Sequence, residues 1–135
     1  MIEELHGEAP EAEQLARRLM AYNEARACAY DFAALRLVER DARGEIIAGA
    51  IATTGWSWLQ IEVMWVDAAD RKRGLGRRLV AELERLAKQR GCVGAFLDTF
   101  DFQARGFYER CGYQVYGSLA GQPPGHTRYW LSKHL

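Results

Sequence analysis

Hydrophobic residues follow a strand-like pattern through the first half of this chain. Three segments, over residues 34–40, 46–54 and 58–66, alternate between apolar and polar positions or run apolar, and the third ends in Val63-Met64-Trp65-Val66. Asp41-Ala42-Arg43-Gly44, between the first two, has the composition of a hairpin turn. The pattern therefore predicts three consecutive antiparallel strands.

The periodicity becomes helical in the second half. Between Gly74 and Arg90, four leucines recur at spacings of four or three residues, which predicts an amphipathic helix (Leu75, Leu79, Leu83 and Leu86). Gly91 is well placed to end that helix. The short apolar run Val93–Leu97 then predicts a buried strand. A strand, a helix and a strand in this order indicate a βαβ unit with two parallel strands.

The remaining segments complete an α+β pattern. Helices are predicted over Pro10–Arg26 and over residues 102–110, and closing strands over residues 113–119 and 126–131. The predicted fold class is α+β: a mixed, mostly antiparallel sheet with one parallel βαβ pair and helices on both faces. A length of 135 residues favours a single domain over residues 1–135.

Charge and cysteine content exclude several classes of protein. Eighteen basic residues balance eighteen acidic ones, so the overall charge selects neither nucleic acid nor an acidic membrane. The N-terminus is acidic without an apolar stretch, and no apolar run approaches the roughly 18 residues of a membrane span. Three widely spaced cysteines, with no Cys/His cluster, predict reduced thiols in a cytoplasmic protein and no metal site.

Glycines and cations concentrate between the third strand and the leucine-striped helix. Gly74 and Gly76 let the backbone approach a ligand closely, and the free amides at a helix start attract anions. Cations there oppose the helix dipole at about 0.3–1 kcal/mol each, so their presence indicates an anionic ligand. The cations are Arg71, Lys72, Arg73, Arg77 and Arg78. A phosphate site is predicted, and a merely solvated basic helix start is the alternative. The segment has neither the Walker A nor the Rossmann pattern.

Two motifs, one in this region and one further along the chain, resemble those of a known family. Arg71-x-x-Gly74-x-Gly76 is similar to the acetyl-CoA motif of the GNAT N-acetyltransferases. Ala104-x-x-Phe107-Tyr108-Glu109-x-x-Gly112-Tyr113 is similar to the family's second motif. The resemblance covers Ala34 to Leu135, and the family's usual N-terminal strand is missing or reduced to residues 2–5. One departure is Asp101, where many members carry an asparagine that contacts the cofactor, and that role is not assigned to Asp101.

The resemblance implies an N-acetyltransferase with acetyl-CoA as co-substrate and no metal. The acetyl group would pass directly to a primary amine of a small-molecule or peptide acceptor, and members of this kind often form homodimers. The implied cofactor-binding residues are Val66, whose backbone amide region would polarise the acyl carbonyl, and the cradle residues Arg71, Lys72, Arg73, Gly74, Leu75, Gly76 and Arg77.

The resemblance also implies a proton donor and a proton acceptor. Tyr108 matches the family tyrosine that protonates the departing CoA thiolate, and a packed aromatic beside Phe107 is the alternative. Glu62 lies four residues before Val66, so strand alternation places both on one face. Some members have a general-base glutamate there. A solvated glutamate, with a water chain as base, is the alternative.

Several aromatic residues could border an acceptor. The pocket for the acceptor could be lined by the four tryptophans, although aromatic residues in strands mostly belong to the core. They are Trp56, Trp58, Trp65 and Trp130. His126, in the loop that contains Pro123-Pro124, could approach it.

Two other functions stay open at this stage. A non-catalytic acyl-CoA-binding or sensor module would keep the cradle but lose Tyr108 and Glu62. A nucleic-acid-binding domain would use the Arg71–Arg78 cluster, but it should also carry an overall positive charge, which this chain lacks.

Overall fold

The computed structural model describes residues Met1–Leu135, which form two compact units, Met1–Asp31 and Phe32–Leu135. The first unit contains helix α1 (Pro10–Arg26), as predicted. Pro10 stands in the first helical turn, where its missing N–H removes no helical hydrogen bond. The single domain over residues 1–135 stays a prediction.

The second unit is a six-stranded sheet with two helices. Its elements in chain order are β1 (Ala33–Arg40), β2 (Ile46–Gly55), β3 (Trp58–Val66), a 3₁₀ turn (Ala68–Asp70), α2 (Leu75–Gln89), β4 (Gly94–Phe100), α3 (Arg105–Arg110), β5 (Gln114–Ala120) and β6 (Thr127–His134).

The sheet has the strand order β1-β2-β3-β4-β6-β5. β1, β2 and β3 form the predicted antiparallel meander, with Gly44 at a φ of 84° in the first turn. β3 and β4 pair in parallel through the α2 crossover, and β6 lies antiparallel between β4 and β5. The predicted fold class, a mixed and mostly antiparallel sheet with one parallel pair, is confirmed.

The third predicted helix is shorter than expected. α3 begins at Arg105 rather than at residue 102, because the preceding residues form turns. The Oε1 atom of Gln103 accepts hydrogen bonds from the Thr99 hydroxyl at 3.1 Å and from the Phe100 amide at 3.0 Å. A side chain therefore caps the end of β4 where the apolar pattern suggested a helical turn.

The core lies between β2, β3, β4 and helix α2. Small residues of β2, Ala48, Ala50 and Ala52, are buried. Small side chains let the larger leucines of α2 pack closely onto the sheet. Leu83, at the centre of α2, has no exposed surface. The leucine stripe seen in the sequence is therefore the face that attaches α2 to the sheet.

Leu83→Ala should lower the free energy of unfolding by about 2–5 kcal/mol, because it removes buried methyl groups and leaves a cavity. Leu119→Ala is the matched control, since Leu119 is 47% exposed and such surface changes stay within about 0.5 kcal/mol. Urea denaturation followed by circular dichroism measures both. Equal losses would show that the core does not depend on α2.

Candidate active site

A cleft of about 890 Å³ opens where β3 and β4 separate. The two strands pair only from Trp58–Gly94 to Ile61–Leu97. Beyond that point the ends of β3 and β4 both line the cleft, together with the start of α2 and one side of α3. The parallel pair predicted from the sequence thus creates the opening.

The cleft brings together all but one of the predicted catalytic and cofactor-binding residues. Arg73 is the exception. Those that line the cleft are Glu62, Val66, Arg71, Lys72, Gly74, Leu75, Gly76, Arg77 and Tyr108.

The start of α2 presents free backbone amides to this cleft. Gly74 is the N-cap residue, with a left-handed φ of 80° and no side-chain cap. The first helical hydrogen bond runs from the Arg78 amide to the Gly74 carbonyl at 3.0 Å. The amides of the residues between them have no acceptor within the helix. Free amides at a helix start are suited to bind an anion, and the phosphate site stays a prediction.

Gly76 has a second role that the sequence did not indicate. A Cβ atom at this position would lie 3.2 Å from the Phe107 ring. The missing side chain therefore lets α2 and α3 pack closely, besides letting a ligand approach the backbone.

The basic cluster is divided among several tasks. Arg73 pairs with Asp70 at 2.7 Å, and the Nε atom of Arg71 donates to the Val66 carbonyl at 3.0 Å. Arg78 lines a separate groove beside β1. Lys72 and Arg77 border the cleft and form no ion pair within the protein. The expectation that all five cations surround one spot is therefore wrong, because Arg73 pairs with Asp70 in the loop before α2 and Arg78 lies on the side of the helix that faces β1.

The backbone amide of Val66 faces the gap between the strands. The Asp67 amide donates to the Ile47 carbonyl at 2.8 Å, so it points towards β2. Consecutive residues of a strand direct their amides to opposite sides, so the Val66 N–H points towards the β4 side. Pairing with β4 ended five residues earlier, at Ile61. The geometry supports the expectation of a single amide donor at this place.

Glu62 occupies a β-bulge. Ala52 pairs with Ile61 while Ile51 pairs with Val63, which leaves Glu62 as the extra residue on β3. Its Oε1 atom accepts a hydrogen bond of 2.8 Å from the Thr53 hydroxyl. The alternation argument that placed Glu62 on the face of Val66 is wrong, because a bulge shifts the alternation by one residue. Glu62 nevertheless lines the cleft.

Tyr108 is only 6% exposed. Its ring lies edge-on to those of Phe107 and Tyr113, with centroids 5.1 Å and 6.1 Å away. Its hydroxyl group makes no hydrogen bond within the protein. Burial raises the pKa of Tyr108 to about 12, so the group is a protonated donor at neutral pH. The ring of Tyr108 is therefore packed, as the alternative interpretation has it, and the proton-donor role of its hydroxyl group stays a prediction.

Asp101 connects two loops instead of contacting the cleft. Its carboxylate bonds His126 Nδ1 at 2.8 Å and accepts from the Thr127 amide at 2.9 Å. Desolvation acts to raise the pKa of Asp101, but these hydrogen bonds outweigh it and lower the pKa below its usual range. The His126 ring packs against Phe102, 4.9 Å between centroids. His126 is absent from the cleft lining, so the suggestion that it approaches an acceptor there is not supported.

The cleft also contains Asp98 and Gln103, which the sequence did not indicate, and one of the four tryptophans. Asp98 lines the cleft and pairs with Arg128 at 2.7 Å. Its position at the end of an apolar strand was the only signal in the sequence. Among the four tryptophans only Trp65 lines the cleft, and it is 56% exposed.

No group of three or more His, Cys, Asp or Glu side chains is arranged to hold a metal ion. None of the three helices has the length and apolarity needed to cross a bilayer.

The model of the Acetyltransferase (GNAT) family matches residues 1–113. The chain belongs to this family of acetyltransferases. The match starts well before Ala34, where the two-motif resemblance was taken to begin.

Individual relatives agree with the assignment. The chain is 45% identical over 94 residues to blasticidin-S acetyltransferase of Streptomyces morookaense, covering 69% of each chain. It is 36% identical over 126 residues to an acetyltransferase of Agrobacterium fabrum, covering 93% of this chain and 92% of the relative.

A solved acetyltransferase structure from Bacillus cereus superposes with a TM-score of 0.92 at 31% identity, covering 99% of this chain and 98% of that one. A structure assigned as a streptothricin acetyltransferase of Bacillus anthracis, in complex with acetyl coenzyme A, has a TM-score of 0.68 at 25% identity, covering 76% of this chain and 62% of that one.

The raised pKa of Tyr108 predicts a loss of stability in alkali. In the unfolded chain the phenol ionises near pH 10, and in the folded chain near 12. The stabilising contribution is complete below the unfolded pKa and is lost as the pH rises through the folded one. Between pH 9 and pH 11, wild type should lose about 1.4 kcal/mol more than Tyr108→Phe. Denaturant titrations at both pH values measure this, and parallel losses would contradict it.

Proposed function

We propose that this protein transfers an acetyl group from acetyl-CoA directly to a primary amine of a small-molecule or peptide acceptor. One observation carries the proposal: a single cleft contains an anion-binding helix start, an inward-facing strand amide and a protonated tyrosine. The first would bind a CoA thioester, the second would polarise its carbonyl group, and the third would donate a hydrogen bond to the leaving thiolate.

The donor would bind along the start of α2. Pyrophosphate oxygens would accept hydrogen bonds from the amides of Leu75, Gly76 and Arg77, which lack acceptors within the helix. Lys72 and Arg77 would supply the neutralising charge. The acetyl-CoA complex of the Bacillus anthracis protein supports this choice of donor.

The acetyl thioester would then reach the gap between β3 and β4. The amine nitrogen attacks the carbonyl carbon, and the Val66 amide stabilises the oxyanion that forms. As the carbon–sulfur bond breaks, the Tyr108 hydroxyl donates to the departing thiolate. Its raised pKa makes it a weaker acid than a free tyrosine, so the main contribution is a strong hydrogen bond to sulfur.

Glu62 would take the proton that the amine must lose. Two observations support this role: Glu62 lines the cleft at the bulge, and Thr53 bonds only one of its carboxylate oxygens. The acceptor is a small-molecule amine by analogy with blasticidin-S acetyltransferase, a relative whose name states its substrate. Trp65 and Asp98 would border it.

The cofactor site is tested by Gly74→Asp. A Cβ atom at Gly74 meets nothing within 4 Å, so an aspartate has space there despite the strain of the positive φ, and its charge would repel a phosphate at the start of α2. Acetyl-CoA should raise the melting temperature of wild type and not of this variant. Gly44→Asp is the matched control, because Gly44 has a similar φ of 84° and equal space. A thermal shift retained by Gly74→Asp would place the phosphate site elsewhere.

The proton donor is tested by Tyr108→Phe. The turnover number should fall on the order of 10²-fold while acetyl-CoA affinity changes little, because only a hydroxyl group is lost. Thiol release with an amine library gives the rates. Tyr116→Phe, at a position 59% exposed on β5, is the control and should leave turnover unchanged. Unaltered turnover in Tyr108→Phe would reduce Tyr108 to a packing role.

The base is tested by Glu62→Gln, which keeps the shape but cannot accept a proton at neutral pH. The rate should fall at pH 7 and recover in part at higher pH, where free amine is more abundant. Glu45→Gln, an exposed carboxylate beside β2, is the control. A pH profile parallel to wild type would contradict the base role, and a raised KM with unchanged kcat would make Glu62 an acceptor-binding group.

A further inference from the structure

A half-buried ion pair lies outside the cleft lining: the Lys133 side chain is 28% exposed and that of Glu84 is 12% exposed. The Lys133 ammonium donates to both carboxylate oxygens of Glu84 at 3.0 Å and to the Cys111 carbonyl at 2.9 Å. All three of its protons are therefore used. The Tyr113 hydroxyl donates to the same carboxylate at 3.1 Å. Three elements meet here, because Glu84 belongs to α2, Lys133 to β6 and Cys111 to the turn after α3.

That turn is the support of Tyr108. The Tyr108 carbonyl accepts hydrogen bonds from the amides of Cys111 and Tyr113, both at 3.0 Å. Gly112, between them, has a φ of 96°, and a Cβ atom there would lie 3.3 Å from the Lys133 side chain. The lysine therefore packs directly on the turn that ends α3.

Helix α3 depends on such outside support. It has six residues and no side-chain cap at its start, and a helix of that length is not stable on its own. The Tyr108 hydroxyl has no partner of its own within the protein. Its position is then set by the packing of its ring and by the turn that follows it.

We infer that Lys133 and Glu84 are positioning residues for acetyl transfer, which hold the Tyr108 hydroxyl at the reacting sulfur through the Cys111–Tyr113 turn. The inference rests on the proposed function, and in particular on Tyr108 as the donor to the leaving thiolate. A half-buried ion pair is weak evidence for stability, since well-packed neutral groups often replace even a fully buried pair without loss. The fixed directions of the hydrogen bonds made by this pair are instead suited to holding a short helix in one position.

The test is the double variant Lys133→Met/Glu84→Gln, measured alone and combined with Tyr108→Phe. Glutamine still accepts from Tyr113, and no unpaired charge is left in the core. The turnover number should fall roughly 10-fold to 100-fold, as expected when a reacting group is slightly misplaced, with the KM for acetyl-CoA unchanged. In the Tyr108→Phe background the same substitutions should have no further effect, because nothing is left to position.

Lys133→Arg provides a second variant that keeps the charge opposite Glu84. Its planar guanidinium cannot reproduce all three bonds, so it should show a smaller fall in turnover that also disappears in Tyr108→Phe. Arg85→Met, which removes an exposed ion pair with Glu82 on the same helix, is the control and should change neither parameter.

The outcomes distinguish the proposed role of Tyr108 as the donor from the positioning role of Lys133 and Glu84. If Tyr108→Phe alone leaves turnover intact, the proposed role of Tyr108 fails. If it lowers turnover, but the Lys133 and Glu84 substitutions reduce the rate by the same factor with and without the Tyr108 hydroxyl, the positioning role is overturned. Unchanged turnover in both Lys133 variants would overturn it as well.

Discussion

The end of pairing between β3 and β4 after Ile61–Leu97 is the constraint on which the site depends. Two parallel strands that continue side by side would satisfy each other's amides and leave no room between them. Here the strands separate, and the last residues of β3 keep hydrogen bonds only towards β2. Their other amides face an opening, where a ligand can supply the missing partner. Besides the outer edges of β1 and β5, the sheet thus leaves polar backbone groups without a strand partner where β3 and β4 separate.

The bulge at Glu62 lies where this separation begins. Glu62 is the extra residue on β3, and it directly follows Ile61, the last residue of β3 that pairs with β4. A bulge bends a strand and increases its local twist, and it leaves the extra residue out of the ladder. The same extra residue lines the cleft, and Thr53 of the neighbouring strand donates a hydrogen bond to its carboxylate.

Sequence reasoning could predict the fold because its signals are local. The leucine stripe of α2, the hairpin turn at Gly44 and the strand–helix–strand order each follow from residues near one another. It could not predict the bulge, because a register shift depends on the pairing of Ile51 with Val63 across two strands. It also missed the division of the basic cluster, since the partners of Arg71 and Arg73 are determined by how the loop before α2 folds. Asp98 and Gln103 gave little signal for the same reason: their positions in the cleft depend on tertiary structure.

The proposed cofactor site consists of groups that lack partners within the protein, whereas the buried polar groups elsewhere have them. The start of α2 has a glycine cap with no side-chain acceptor, and Lys72 and Arg77 lack ionic partners. By contrast, no fully buried side-chain nitrogen or oxygen atom lacks a hydrogen-bond partner. Free amides at a helix start destabilise a protein modestly when water can reach them. An anion that accepts from them stabilises the folded state in proportion to its excess over the dissociation constant. If the donor binds as proposed, the incomplete start of α2 couples its binding to stability, whereas the proposed role of the half-buried Lys133–Glu84 pair, to hold the tyrosine in place, does not require a bound donor.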